Sequence, residues 1–297
     1  MKLFNYASIL LCGLLLVGCA NKTSQQKVVK NPDTKTVMKE LSNRFISAWN
    51  VADAQAITAE FTNDAVRVIS NPMSPIKGKN AILKAFEATF EEGSEFYNSH
   101  IEVDIIETRF VSNDIYLEAG RFRILDKNNN ILESGKFGNV LRYEEGEIKL
   151  LLESAHRTPK APLVAESGID LENSFISAEP HFDKIQASVA EYISNYNSKD
   201  KEGIAMLFIE DAVQNVNSKE GIVLGREQIK ETENYSDGGT LNANISGYRY
   251  LGNDLAIAYG NWVAIDDNNN TIIGQWGNLF KIKGDDALLI MESAGLR

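Results

Sequence analysis

Hydrophobic positions along this chain follow a helical period first and a strand-like pattern later. Met38, Leu41, Phe45 and Trp49 recur every three or four residues, which predicts an amphipathic helix. Two shorter helices are predicted to follow it, from the apolar residues Ile57, Phe61, Ile82, Phe86 and Phe90. The folded part of the chain is therefore expected to begin with three helices that bury one face each.

Four strands are predicted after these helices, over residues 101–110, 115–125, 131–143 and 148–156, where β-branched and aromatic residues are frequent. The Asn-rich segment 128–130 suits a hairpin turn, because asparagine tolerates a positive φ. Helices followed by an antiparallel meander predict an α+β domain in which the helices pack on one face of the sheet.

The whole pattern is written twice. Residues 45–50 (FISAWN) recur as 192–197 (YISNYN), and residues 64–66 (DAV) recur as 211–213. Further along, the Gly-x-x-Gly-Asn segment 135–139 recurs at 274–278, and Glu-Ser-Ala at 153–155 recurs at 292–294. We therefore expect two tandem domains, 35–158 and 179–297, joined by a linker at 159–178 that contains proline and glycine.

The N-terminal residues have the pattern of a secretion signal. A basic start, an apolar run over 9–17 and small residues before Cys19 predict a signal peptide at 1–18. Residues 16–19 (LVGC) resemble the bacterial lipobox, which implies lipidation of Cys19 and a membrane anchor behind a polar tether at 19–34. The expected location is the bacterial cell envelope, facing the periplasm or the exterior, with the outer membrane favoured over the inner. The alternative is an ordinary signal peptide with a chance cysteine.

Composition excludes several classes of chemistry. Besides Cys19 the only cysteine is Cys12, inside the predicted signal peptide, so no thiol is left for a nucleophile or a metal. The three histidines share no ligand spacing, and neither a metal nor another cofactor is predicted. A formal net charge of −11 without a basic stripe argues against nucleic acid as a partner.

The repeated motifs carry a family resemblance. Aromatic-x-x-x-(Trp/Tyr)-Asn-x-x-Asp, Phe-x-x-Asp-Ala-Val and Gly-x-x-Gly-Asn resemble the SnoaL-like branch of the nuclear transport factor 2-like superfamily, which includes ketosteroid isomerase. The resemblance implies two tandem cone-shaped α+β barrels, each with three helices packed on a curved, mainly antiparallel sheet around an apolar pocket. It also implies that the two domains pair through their sheets as an internal pseudo-dimer.

Candidate pocket residues are aromatic side chains on the helical stripes and asparagines that share strand faces with them. Alternation on a strand puts Asn139 beside Phe137, and Asn278 beside Trp276. The alternative is an ordinary core with satisfied amides. The candidate ligand pocket comprises Phe45, Trp49, Phe61, Phe86, Phe137, Asn139, Tyr192, Tyr196, Trp276 and Asn278.

The resemblance to ketosteroid isomerase places the usual general base at Ile69 and Val216, neither of which can accept a proton. We therefore expect no isomerase activity of that type, unless Glu118 or Glu292 supplies a base from another wall. Weak catalytic candidates are Tyr192, Asn278, Glu292, Asn139 and Glu153. For the two last-strand glutamates, Glu153 and Glu292, the alternative is an ion pair with an arginine: Arg142, Arg157 or Arg297. Arg109 and Arg249 could equally pair with such an acid.

Three functions follow as hypotheses. The favoured one is a membrane-anchored protein that binds a small apolar molecule or a protein partner. The alternative is an isomerase-, cyclase- or dehydratase-like enzyme that moves a proton on a polyketide- or steroid-like carbonyl substrate. The third is a structural role with both cones filled by side chains. Open cavities and ionisable wall residues separate the three.

Overall fold

The computed structural model describes residues 34–72, 74–112, 114–158, 171, 175–233, 235, 239–266 and 269–296. The predicted signal peptide, Cys19, the tether up to residue 33 and most of the predicted linker lie outside the described residues. Among the helices that are described, none is long and apolar enough to cross a bilayer. Both repeats belong to one compact unit, Asp33–Arg297.

The first repeat contains three helices and six strands. They are α1 (Thr34–Asn50), α2 (Ala54–Ala59), β1 (Phe61–Ile69), β2 (Ile76–Lys77), α3 (Lys79–Phe90), β3 (His100–Ser112), β4 (Ile115–Leu125), β5 (Ile131–Glu144) and β6 (Glu147–Arg157). The strands form one sheet in the order β2-β1-β6-β5-β4-β3. All neighbours are antiparallel except β1 and β6, which run parallel.

The second repeat has the same order with one additional short strand. Its elements are α4 (Phe182–Ser198), α5 (Lys201–Met206), β7 (Phe208–Val216), β8 (Val223–Leu224), α6 (Arg226–Thr232), β9 (Thr240–Ala243), β10 (Gly247–Gly252), β11 (Leu255–Ile265), β12 (Thr271–Lys283) and β13 (Asp286–Leu296). The sheet order is β10-β11-β12-β13-β7-β8, and β9 pairs with β11 beside β10.

The predicted α+β class and the predicted meander are confirmed, with two corrections. Phe61 does not belong to the second helix, because α2 ends at Ala59 and Phe61 opens β1, which pairs with β6. The sheets are not closed barrels either: among the described strands, the two ends of each sheet do not pair. Helix α1 packs against β3 at one end and α3 against β1 and β2 at the other, so helices occupy the space that closure would need.

Short polar signals fix the local geometry in both repeats. Asp53 caps α2 by accepting a hydrogen bond from the backbone N of Ala56 at 2.9 Å, and Asp200 caps α5 in the same way. The predicted Asn-rich hairpin turns are present, with φ of 64° at Asn129 and 59° at Asn269.

Three hydrophobic cores are formed. One lies between helices and sheet in each repeat. The third combines side chains from the outer faces of both sheets, and includes Val68, Leu117, Val140, Ile257, Leu279 and Met291. Inside this inter-sheet core, Ser154 Oγ donates to the carbonyl of Ser293 at 3.3 Å, and Ser293 Oγ donates to that of Ser154 at 3.1 Å. The two sheets therefore contact each other through their outer faces, and the internal pseudo-dimer stays a prediction.

Matched ion pairs flank the inter-sheet core. Arg109 lies 2.9 Å from Asp211, and Arg249 lies 2.8 Å from Asp64. These two arginines therefore pair with acids of the opposite repeat and not with the last-strand glutamates. Because the four side chains occupy equivalent repeat positions, the two pairs are related by the same approximate symmetry as the serines.

Candidate functional site

Each repeat has an open cavity between its helices and the concave face of its sheet. The first cavity has a volume of about 680 Å³ and the second about 470 Å³. Both volumes lie in the range of small-molecule sites, so the cones are not filled by side chains. The geometry therefore leaves room for a ligand in either repeat.

Aromatic residues line the first cavity, as the helical stripe suggests. Phe45, Trp49, Phe86 and Phe137 are on its wall together with Asn139. Trp49 meets Phe86 edge to face, with ring centroids 6.2 Å apart. Phe61 is not on the wall; it is completely buried in the core beneath, since it now starts β1.

The second cavity is lined by all four of its proposed residues, Tyr192, Tyr196, Trp276 and Asn278. Trp262 of β11 lies on the wall as well, and sequence patterns did not mark it. Ile69 and Val216 line the first and second cavity respectively, so the usual position of an isomerase base is apolar in both.

A row of four side chains crosses the concave face of each sheet. The first polar row is Glu118, Asn139, Glu153 and Arg67, on β4, β5, β6 and β1, which are direct neighbours in register. The second polar row occupies the equivalent positions with Ala258, Asn278, Glu292 and Gln214. Every member of both rows is buried. The two rows thus have the same two residue types in the middle, asparagine and glutamate, and different residues at both ends.

In the first row, Arg67 neutralises Glu153. The Arg67 Nε bonds to one carboxylate oxygen and Nη2 bonds to the other at 3.2 Å. The same guanidinium lies over the Phe86 ring, 4.1 Å from its centroid. The sequence suggested Arg142, Arg157 or Arg297 as the partner of Glu153; Arg142 instead lies 3.6 Å from Asp64, and Arg297 is outside the described residues.

Glu118 and Asn139 form the unsatisfied end of the first row. Glu118 Oε2 and Asn139 Oδ1 are buried and have no hydrogen-bond partner among the described residues. Burial raises the pKa of Glu118 to about 8, so this carboxyl is mainly protonated at neutral pH. In the second row the same position is Ala258, and Asn278 Oδ1 is satisfied by the backbone N of Ser293 at 3.0 Å.

In the second row, Glu292 belongs to a hydrogen-bonded network. It accepts a hydrogen bond from Gln214 Nε2 at 2.8 Å, and the Tyr192 hydroxyl lies within hydrogen-bonding reach. Gln214 also donates to Glu233 at 3.0 Å, and Glu233 pairs with Lys219 at 2.7 Å. No arginine is paired with Glu292 in the described part of the chain.

The electrostatics of this network suit proton transfer. Burial raises the pKa of Glu292 to about 7, and Glu233 adds to the rise. The pKa of Tyr192 is raised well above its usual value by burial and by Glu292. The cavity wall therefore presents a carboxyl that is close to half-protonated at neutral pH, beside a phenol that keeps its proton.

The buried histidine, His156, lines neither cavity. His156 is in the inter-sheet core, where Nε2 is 2.9 Å from Ser154 Oγ, and burial lowers its pKa to about 3. Within the ranges that the structure describes, no three His, Cys, Asp or Glu side chains cluster as metal ligands would.

Comparison with solved structures gives a consistent description. The neighbours are nuclear transport factor 2-like proteins. A protein of unknown function from Shewanella oneidensis is 14% identical, with 41% of this chain and 98% of that one covered and a TM-score of 0.36. A ketosteroid isomerase-like protein from Erwinia carotovora is 17% identical, with 43% and 98% covered and a TM-score of 0.36. A cystatin-like domain of unknown function from Nostoc punctiforme is 16% identical, with 44% and 79% covered and a TM-score of 0.38.

Each of these neighbours is similar to less than half of this chain. No protein-family model and no curated protein matches the chain.

Proposed function

We propose that this protein binds small, largely apolar molecules in its two cavities, with the polar rows holding the polar group of each ligand. One observation carries the proposal: each repeat encloses an open, aromatic-lined cavity whose wall holds a few buried polar side chains. In the second cavity, Glu292 and Tyr192 offer hydrogen bonds to a carbonyl or hydroxyl group. Trp276 and Tyr196 provide apolar surface for the remainder of the molecule.

A fluorescence titration with 2-naphthol tests binding in the second cavity. Ala294 lines this cavity and Ala155 is its equivalent in the first, so Ala294→Trp and Ala155→Trp are matched blocking variants. We expect saturable binding that weakens at least about tenfold in Ala294→Trp and persists in Ala155→Trp. Naphthalene, which lacks the hydroxyl, should bind more weakly. If 2-naphthol binds Ala294→Trp and Ala155→Trp with equal affinity, or if it shows no saturable binding to the wild type, the proposal is contradicted.

Proton transfer on a carbonyl substrate is the second candidate function. The pKa of about 7 for Glu292 favours it, because a general acid–base group works best when its pKa is near the working pH. Glu292 lies on β13 beside Val216 of the neighbouring β7, on the same wall and not on another one, so any such reaction would start from a position one strand away from the usual isomerase base.

Hydrogen–deuterium exchange at the α-carbons of 2-tetralone, followed by NMR in D₂O, measures this activity. A catalytic Glu292 predicts exchange that falls by roughly 10²–10⁴ in Glu292→Gln, a much larger loss than the weakening of 2-naphthol binding in the same variant. Wild-type exchange no faster than in buffer rules out this activity toward such ketones and leaves binding as the function.

We further propose that lipidated Cys19 anchors the protein in the cell envelope. The support is the sequence alone: a basic start, an apolar run and LVGC at 16–19. Expressed in a bacterium with lipoprotein processing, the full chain should enter the detergent phase of Triton X-114 and incorporate a palmitate analogue, whereas Cys19→Ser should do neither. Identical partitioning of the two proteins contradicts the anchor.

A further inference from the structure

The unsatisfied end of the first polar row indicates which class of ligand the first cavity binds. Glu118 is 3% exposed and Asn139 is 8% exposed, and both line the first cavity. Glu118 Oε2 and Asn139 Oδ1 find no partner among the described residues, although buried polar atoms are nearly always hydrogen-bonded. Since Glu118 and Asn139 are direct cross-strand neighbours, one ligand group can reach both. When Glu118 is ionised, its Oε2 and the Asn139 Oδ1 are two adjacent acceptors that one ligand donor can satisfy.

The charges of the first cavity favour a positively charged donor. Its wall carries four carboxyls and two guanidinium groups, from Glu95, Glu118, Glu133, Glu153, Arg67 and Arg157. Arg67 is committed to Glu153. Glu118 lies three strands from Arg67, about 14 Å at the usual strand spacing. Tyr116, two residues earlier on β4, is the remaining titratable neighbour on that strand face.

Aromatic rings line the same cavity as Glu118. The Phe137 ring covers Gly120 on β4, where an added Cβ would lie 2.5 Å from the Phe137 Cζ. Phe45, Trp49 and Phe86 contribute further rings to the same cavity. Aromatic faces attract organic cations through their quadrupoles, and the attraction grows when water is excluded. An ammonium group with an apolar body therefore matches both the acceptors and the walls.

We propose that the first cavity binds an organic ammonium ion whose N–H groups donate to Glu118 Oε2 and Asn139 Oδ1. The bound cation replaces the proton that Glu118 holds in the empty cavity, and this proton is released to solvent. The inference deepens the proposed binding function and gives the two repeats different ligands. Ala258 replaces Glu118 in the second cavity, and Glu292 there is already hydrogen-bonded to Gln214.

Isothermal titration calorimetry with 2-(aminomethyl)naphthalene tests the inference, with its neutral isostere naphthalen-2-ylmethanol as the comparison ligand. We expect the amine to bind at least about tenfold more tightly than the alcohol, since it alone carries the charge. Titrations in buffers of different ionisation enthalpy should show release of nearly one proton per amine at pH 6.5. As the pH is raised toward 8, the amine affinity should increase by up to about tenfold per pH unit, because the competing proton leaves Glu118.

Glu118→Gln keeps the shape of the side chain and should abolish both the preference for the amine and the proton release. Ala155→Trp should remove the amine site and leave 2-naphthol binding in place. Equal affinity for amine and alcohol, absence of proton release, or an undiminished preference in Glu118→Gln overturns the inference. If 2-naphthol still binds in a manner sensitive to Ala294→Trp, only this inference fails; if neither probe binds, the proposed function fails with it.

Discussion

Replacing Glu118 by glutamine isolates the cost of keeping a carboxyl in the wall of the first cavity. Glu118 has a raised pKa in the folded protein, because burial disfavours the charged form. Its contribution is therefore fully present below the unfolded pKa of 4.5 and is lost as the pH rises through about 8. Glutamine has nearly the same shape and does not ionise.

The magnitude follows from the two pKa values. Between 4.5 and about 8 the difference is roughly 3.5 units, and each unit corresponds to about 1.4 kcal/mol. The ionised form should thus destabilise the folded protein by up to about 5 kcal/mol above pH 8, an upper bound because water can enter the open cavity. At pH 5 the cost should be below about 1 kcal/mol.

Equilibrium urea unfolding at pH 5, 7 and 9, monitored by tryptophan fluorescence, measures this difference. Glu118→Gln should gain free energy of unfolding over wild type progressively from pH 5 to pH 9. Glu87→Gln, on the exposed face of α3, controls for the removal of one negative charge. If the gap between Glu118→Gln and wild type changes by less than about 1 kcal/mol over this range and matches that of Glu87→Gln, the burial account of Glu118 is refuted.

The remaining predictions concern the ion pair, the inter-sheet core and overall shape. Arg67→Gln should lower the free energy of unfolding in urea by about 3–5 kcal/mol, because it leaves Glu153 buried and unpaired. The double variant Arg67→Gln/Glu153→Gln should recover much of that loss, and an equal loss in the double variant contradicts the pairing. His156 has a pKa lowered to about 3 by burial, so stability should fall as the pH drops from 6.5 toward 3; thermal unfolding should show a weaker fall for His156→Gln, and parallel curves for the two proteins would exclude this role. Gly295→Ala should cost about 1–3 kcal/mol, since its Cβ would lie 2.2 Å from the His156 Cβ. His156→Gly, which removes the clashing Cβ, should cost less in the Gly295→Ala background than in wild type, and a neutral Gly295→Ala contradicts the packing. Small-angle scattering should show one compact particle, whereas two independently moving beads contradict the pseudo-dimer.

Repetition within the sequence explains why the fold was predictable. The hydrophobic period changes from helical to strand-like in the same order in both copies, and the Asn-rich turns mark the hairpins at Asn129 and Asn269. Open sheet edges were not predictable, because they depend on where the helices pack. The start of β1 at Phe61 was missed for a related reason: its partner is β6, more than eighty residues away.

The candidate site was also predictable in part: local patterns indicate some of its residues, and long-range strand pairing adds the others. Strand alternation alone places Asn139 and Asn278 on one strand face with aromatic residues, and the structure shows that this face is the concave one that lines the cavities. Arg67 and Gln214 join the rows only because β1 pairs with β6, and β7 with β13, in parallel. No local sequence pattern indicates this pairing. Their equivalence in the two repeats was the available signal. Arg67 of the first repeat corresponds to Gln214 of the second, and each faces a glutamate that is present in both repeats.

Native mass spectrometry of the protein purified from its own cells tests the central claim, ligand binding in the cavities, most directly. The Cys19→Ser form avoids detergent, and a second form carrying Ala155→Trp and Ala294→Trp fills both cavities. If the cavities bind a ligand, the first form should carry a defined small-molecule mass that is released on denaturation and is missing from the second form. If each of the two proteins is found only at the mass of its own bare polypeptide, ligand binding in the cavities is contradicted.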